Sequence, residues 1–238
     1  MGNAFTQVDW DLIRTRAGTV AAQLRAKGAE VWDFEPLPPV PRAQLEEFTR
    51  KTRIVFPSDF VDLVTNFAGG WNFSWCLCET KTGKWLNSPV FMGNFGGNAE
   101  VPFIGASTDE TLLDRYESFQ DEIRNSIHNR NSCLEDSEML RLLSALFPLH
   151  TCDGSGGDYT VLRLDVAPAK VYYLDHELAW PLDDEHTIGI GFREFVLGWA
   201  NLGFPQCEYH SCWVNPQTRQ PADTSREADV WRGWLIVP

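Results

Sequence analysis

The segment E-P-L-P-P-V-P at 35–41 places four prolines in seven residues. Proline fixes φ, donates no backbone hydrogen bond and pushes its predecessor toward extended geometry. Neither a helix nor a central strand can run through such a segment. The sequence is therefore divided there: a stiff, extended linker separates an N-terminal helical extension at 1–34 from a single larger unit at 35–238. Within the extension, residues 9–27 read as a helix capped by Asp9. Trp10, Ile13, Ala17, Val20, Ala21 and Leu24 recur at helical spacing, and Gly28 is placed to end it.

Past the linker, Arg42–Arg53 reads as a short helix with Leu45 and Phe48 inward. The stretch F-P-S-D-F-V-D-L-V-T-N-F-A-G-G (56–70) reads as another, capped by Ser58, with an apolar face of Phe60, Leu63, Val64 and Phe67. Strands are expected at Asn72–Glu79 and Lys84–Phe91 around a T-G-K turn, with G-N-F-G-G-N (93–98) as loop. Ser107-Thr108-Asp109-Glu110 resembles a capping box. It opens a helical insertion at about 107–146, whose first helix carries Leu112, Leu113, Tyr116, Phe119, Ile123 and Ile127. Strands follow near 147–150, 159–164, 171–174 and 187–190, then a helix at Phe192–Asn201 that buries Phe195, Val196 and Trp199. A Trp-rich tail begins at about 203. Helices gather early and mid-chain while strands are joined by short turns. The predicted class is α+β, with a twisted, mainly antiparallel sheet flanked by several helices.

The chemical motifs fail one by one. T-C-D-G-S-G-G-D (151–158) runs into a strand and lacks a lysine, so it is no phosphate loop. Read as a calcium loop from Asp153, it lacks the required carboxylates, which leaves a turn with Asp158 bonding nearby amides. H-E-L-A-W (176–180) puts Trp180 where a zinc site needs histidine, and G-I-G-F-R-E (189–194) puts Glu194 where a dinucleotide loop needs a small residue. Of six cysteines, Cys76 and Cys78 face one side of a strand, and Cys207 and Cys212 flank His210. Neither pair has zinc-knuckle spacing, and small buried apolar thiols are the expectation. No cofactor or metal is expected. Trp10 and Trp199 belong on apolar helix faces, while Trp71, Trp75, Trp180, Trp213, Trp231 and Trp234 are candidates for a surface.

Net charge is −13, from 33 acidic and 20 basic residues. Such a field repels nucleic acid and anionic membranes and speeds encounter with basic partners. No apolar run approaches the ~18 residues a membrane span needs, and the expected location is the cytosol. Asp153, Asp175, Glu177, Trp180, Asp183, Asp184 and Glu185 are the candidate partner-binding residues. A hydrolase using Asp175, His176 or Glu177 is the catalytic alternative, although runs of carboxylates are usually a solvated face.

The stretch 56–70 resembles the signature of the SUKH superfamily, which includes yeast regulators of cell-wall synthesis and many bacterial immunity proteins. Phe56-Pro57, Phe60, Leu63-Val64 and Gly69-Gly70 fall in register, with Ala68 in place of the usual asparagine. Residues 147–176 resemble the family's second block through Gly157-Asp158, Asp165, Val171 and His176, and F-R-E-F-V-L-G-W-A resembles its closing helix. These positions are mainly structural. The resemblance implies a non-catalytic protein-binding module without cofactor. Its bacterial members bind and neutralise a toxin, often a nuclease, and its fungal members act as regulatory scaffolds. The leading expectation is an immunity protein for a basic, nuclease-type toxin; the alternative is an intracellular scaffold.

Overall fold

The computed structural model describes residues 4–79, 82–84, 86, 96–98, 111–128, 141–151, 159–174, 187–205 and 226–235. The fold is α+β. Helix α1 (Gln7–Ala26) leads into β1 (Ala29–Pro36), α2 (Arg42–Thr52), α3 (Ser58–Asn66), β2 (Trp71–Glu79) and β3 (Gly96–Asn98). Then come α4 (Leu112–His128), a helical turn at 141–144, β4 (Leu146–Thr151), β5 (Tyr159–Arg163), β6 (Lys170–Leu174), β7 (Thr187–Ile190), α5 (Phe192–Asn201) and α6 (Arg226–Leu235). The described strands form two antiparallel sheets, ordered β1-β2-β3 and β4-β5-β6-β7.

The helix ends differ in detail from the sequence expectation. Thr6, not Asp9, caps α1: Thr6 accepts from the Asp9 amide, and the Asp9 carboxylate returns to the Thr6 backbone, a reciprocal box. Pro57, not Ser58, precedes α3, and no side chain caps its start. The box at α4 is Thr111 with Asp114, and Ser107–Glu110 lie outside the described residues. Gly28, at φ +89°, does end α1, and its N–H donates to the Arg25 carbonyl.

The proline segment is a strap. Leu37 N–H donates to the Gly70 carbonyl (2.9 Å), Gly69 N–H to the Pro38 carbonyl (3.1 Å) and Val40 N–H to the Val64 carbonyl (2.7 Å). A Cβ on Gly69 would meet the Pro38 oxygen at 2.6 Å, so backbone crosses backbone too closely for any side chain. Helix α3 ends at its C-cap Phe67, ahead of the Gly-Gly pair, and the crossing chain is what requires Gly69 to lack a side chain.

Alternation on β2 orients the first sheet. Trp71, Phe73, Trp75 and Leu77 are buried, and Asn72, Ser74, Cys76 and Cys78 are half-buried on the opposite face. The inner face meets Trp10 of α1, Phe34 of β1, and Phe204, which sits at φ +58°. Three indoles converge on the short turn around Phe204. Trp231 Nε1 donates to the Leu202 carbonyl, Trp75 Nε1 to Gly203 and Trp199 Nε1 to Pro205, at 2.7–2.8 Å. Trp71, Trp75 and Trp231 are therefore core residues, not surface ones. Trp234 is partly buried, with Lys27 over its ring at 4.7 Å; Trp180 and Trp213 lie outside the described residues. Trp231 stacks on Trp75 (5.6 Å between centroids), which docks α6 on the core.

The second sheet is covered on both faces. Leu162, Val171 and Tyr173 turn into the main core, which contains Phe48, Phe56, Phe60, Phe147 and Phe192. Tyr159, Val161, Tyr172 and Leu174 turn the other way, into a smaller cluster with Phe119 and Ile123 of α4 and with Leu143. Gly96–Asn98, expected as loop, pairs with Cys76–Ser74. Glycine has little strand preference, so only the main-chain pairing reveals this strand. Strand β1, too, begins inside the segment read as a helical extension and runs on to Pro36, the first proline of the linker.

Candidate functional site

Of the positions that carry the resemblance, Phe56, Phe60, Leu63, Val64 and Val171 are packed in the main core. Phe56 stacks on Phe60 (4.5 Å between centroids) and on Phe48 (5.0 Å), and Phe147 meets Phe56 edge-on at 4.9 Å. Leu63 and Val171 are fully buried. Asp165 accepts from Arg163 Nε (2.6 Å) and Nη2 (3.2 Å), and these charge-assisted bonds hold its carboxyl below the usual value. Asp153, Gly157, Asp158, Asp175, His176, Glu177, Trp180, Asp183, Asp184 and Glu185 lie outside the described residues.

The anchors of the two acidic segments are nonetheless fixed. Thr151 pairs with Tyr159, and Tyr159 pairs with Leu174, so these three residues lie side by side at one end of the second sheet. The segment 152–158 joins the first two, and 175–186 starts from the third and returns at Thr187. Every candidate partner-binding residue is therefore carried on chain that attaches at that single sheet end. Tyr159 also donates its hydroxyl to Glu122 there, and burial together with the adjacent carboxylate pushes its pKa up.

A polar junction not expected from the sequence lies where three helices begin. Arg193, second in α5, donates through Nη2 to Asp9 Oδ1 (2.6 Å) and through Nε to Asp9 Oδ2 (3.0 Å). Its backbone N–H donates to Asp59 Oδ2 (2.9 Å), and the Phe60 N–H donates to Asp59 Oδ1 (3.0 Å). Burial raises the pKa of Asp9, but hydrogen bonds from Arg193 and Thr6 and the guanidinium charge outweigh it, leaving a net lowering. At Asp59 burial wins over the backbone donors and the pKa is raised, with Glu194 adding repulsion. Carboxylates at helix N-termini also suit the helix dipoles. A raised carboxyl could serve as a general acid, but Asp59 is 5% exposed and both its oxygens already hold backbone donors. The junction locks three helices, and both Asp59 oxygens are engaged in doing so.

The partners of this junction are 134 and 184 residues apart. S-D-F and G-F-R-E each show a helix start, and nothing local tells which distant carboxylate the arginine meets. Cys76 and Cys78 are free and half-buried on the outer face of β2, not core groups, and burial raises the Cys76 thiol. Among the described residues no three His, Cys, Asp or Glu side chains are grouped to hold a metal ion, and no helix is long and apolar enough to cross a membrane. No protein-family model, curated protein or solved structure matches the chain.

Proposed function

We propose that the protein is a non-catalytic binding module of the cytosol, an immunity protein that docks on a basic, nuclease-type toxin and neutralises it. The observation that carries this reading is the partition of charge. Acidic residues outnumber basic ones by 33 to 20. Moreover, Arg25, Arg42, Arg50, Lys51, Arg124, Arg163, Arg193 and Arg232 are each held by a carboxylate of the same chain. The surplus negative charge is left for a partner, and a toxin that grips phosphates must be cationic. Both acidic segments attach at one end of the second sheet, whose two faces are packed. Complementary fields raise the rate of encounter and reject acidic competitors.

If a neighbouring gene encodes a basic, nuclease-type toxin, as the proposal requires, co-expression with it tests this. Growth should be restored, and an Asp175→Ala/His176→Ala/Glu177→Ala variant should show weaker protection through weaker binding. A toxin that kills undiminished and is not retained by the protein would end the proposal.

A further inference from the structure

Strand β1 is an edge of the first sheet, and among the described residues nothing pairs with its outer side. Its sequence A-E-V-W-D-F-E-P carries three carboxylates and Trp32, which is 51% exposed. Charge, proline and a bulge guard such an edge against indiscriminate strand addition, and they leave it open only to a short segment of matching charge. A bulge is present. Trp32 lies opposite Ser74 and Glu35 opposite Asn72, so Asp33 and Phe34 together face Phe73. The extra residue lets Phe34 enter the core, against Trp71 and Phe73, while Asp33 stays in solvent. Glu30, Trp32 and Glu35 pair with Cys76, Ser74 and Asn72, the half-buried residues of β2, and so share the sheet's outer face.

The edge is already occupied from within the chain. Arg25, in the last turn of α1, donates through Nη2 to the Val31 carbonyl (3.1 Å) and to the Asp33 carboxylate (2.7 Å). The Val31 carbonyl therefore points away from β2, and in an extended strand its N–H points the same way. Arg25 takes the two positions that a N–H and a cationic side chain of an added strand would take. Its ion pair is exposed, with side chains at 45% and 79%, so a better-matched cation can displace it.

We propose that the β1 edge is the docking strip for an extended, basic segment of the partner. The segment pairs with the main chain at Val31, replaces Arg25 at Asp33, and lays lysine or arginine against the Trp32 ring between Glu30 and Glu35. The proposal rests on the reading of an acidic module with a basic partner, and it names the element that engages.

A short synthetic peptide of alternating arginine and threonine is the probe, with a glutamate–threonine peptide as control. Binding of the first should slow hydrogen exchange at the Val31 amide and shift the Trp32 indole resonance. Val31→Pro should weaken it about tenfold by removing the edge donor, and Arg25→Ala should strengthen it about threefold. If Val31→Pro does not fold, Trp32→Ala/Glu35→Gln on the exposed face should give the same loss. No protection at Val31, equal binding of the control peptide, or unchanged affinity in these variants overturns the proposal. A toxin bound equally well by wild type and edge variants overturns the strip but leaves the module reading intact. Val31 protection by the peptide in a protein that inhibits no toxin does the reverse.

Discussion

Replacing Arg193 with methionine tests the junction that ties α1, α3 and α5 together. The substitution keeps the aliphatic stem and the backbone N–H to Asp59 but removes two hydrogen bonds and the charge facing Asp9. Fully exposed ion pairs contribute about 0–1 kcal/mol, and breaking a buried one costs about 3–5. Here the Asp9 side chain is 6% exposed and the Arg193 side chain 23%, and Thr6 still donates to the orphaned carboxylate. The expected loss is about 2–3 kcal/mol. In the native protein the pKa of Asp9 is lowered, so its contribution is present above the unfolded value and is lost as pH falls through the folded value. Without the guanidinium the strongest of the lowering causes is gone, so the folded pKa of Asp9 rises from its native position while the Thr6 bonds still hold it down. The deficit of the variant therefore shrinks as pH falls and Asp9 becomes protonated in both proteins. Adding Asp9→Asn removes the uncompensated charge and should recover at least about 1 kcal/mol. Urea unfolding, followed by tryptophan fluorescence and circular dichroism across pH, measures all of this. A single-variant loss below about 0.5 kcal/mol, or strictly additive effects in the double variant, would refute the reasoning.

Gly69→Ala should cost about 1–3 kcal/mol in the same assay, because its Cβ meets the Pro38 oxygen at 2.6 Å. Gly18→Ala, whose Cβ meets nothing within 4 Å inside α1, should stabilise by about 0.5–1 kcal/mol. Trp231→Ala removes a fully buried ring stacked on Trp75 and orphans the Leu202 carbonyl, so a loss of about 3–5 kcal/mol is expected; near-neutrality would mean that α6 does not dock. Asp59→Asn replaces a carboxyl whose folded pKa is raised, which makes native stability fall as pH rises from the unfolded value through the folded one. The variant should lose that slope, measurable as a flatter dependence of the urea midpoint on pH, and should lose about 1 kcal/mol for the acceptor replaced by an amide.

What the sequence made legible was local. The apolar stripes of α1, α2 and α3 and the run F-R-E-F-V-L-G-W-A gave helices close to those observed, because periodicity and end signals act over a few residues. Ser58 and Asp9 were misplaced by one to three positions within their helix starts, where several cap-forming residues crowd together. Strand β1 escaped because its bulge breaks the alternation that announces a strand, and β3 because glycine hides it. The tryptophans of β2 and α6 looked available for a surface. Only the tertiary fold brings the carbonyls of Leu202, Gly203 and Pro205 to the indoles of Trp231, Trp75 and Trp199. The Asp9–Arg193–Asp59 junction was illegible for the same reason: its members share space, not sequence. Acidic segments could be read directly, but their common attachment at Thr151, Tyr159 and Leu174 required the strand register.

The most direct test of the proposed acidic docking module is a binding isotherm of the purified protein against the basic, nuclease-type toxin that the proposal requires a neighbouring gene to encode, repeated over a series of salt concentrations. Tight binding is predicted, with affinity and association rate falling steadily as salt screens the surplus charge, and with toxin activity lost in proportion to occupancy. No binding at low salt, or binding indifferent to salt with the toxin still active in the complex, would contradict the account.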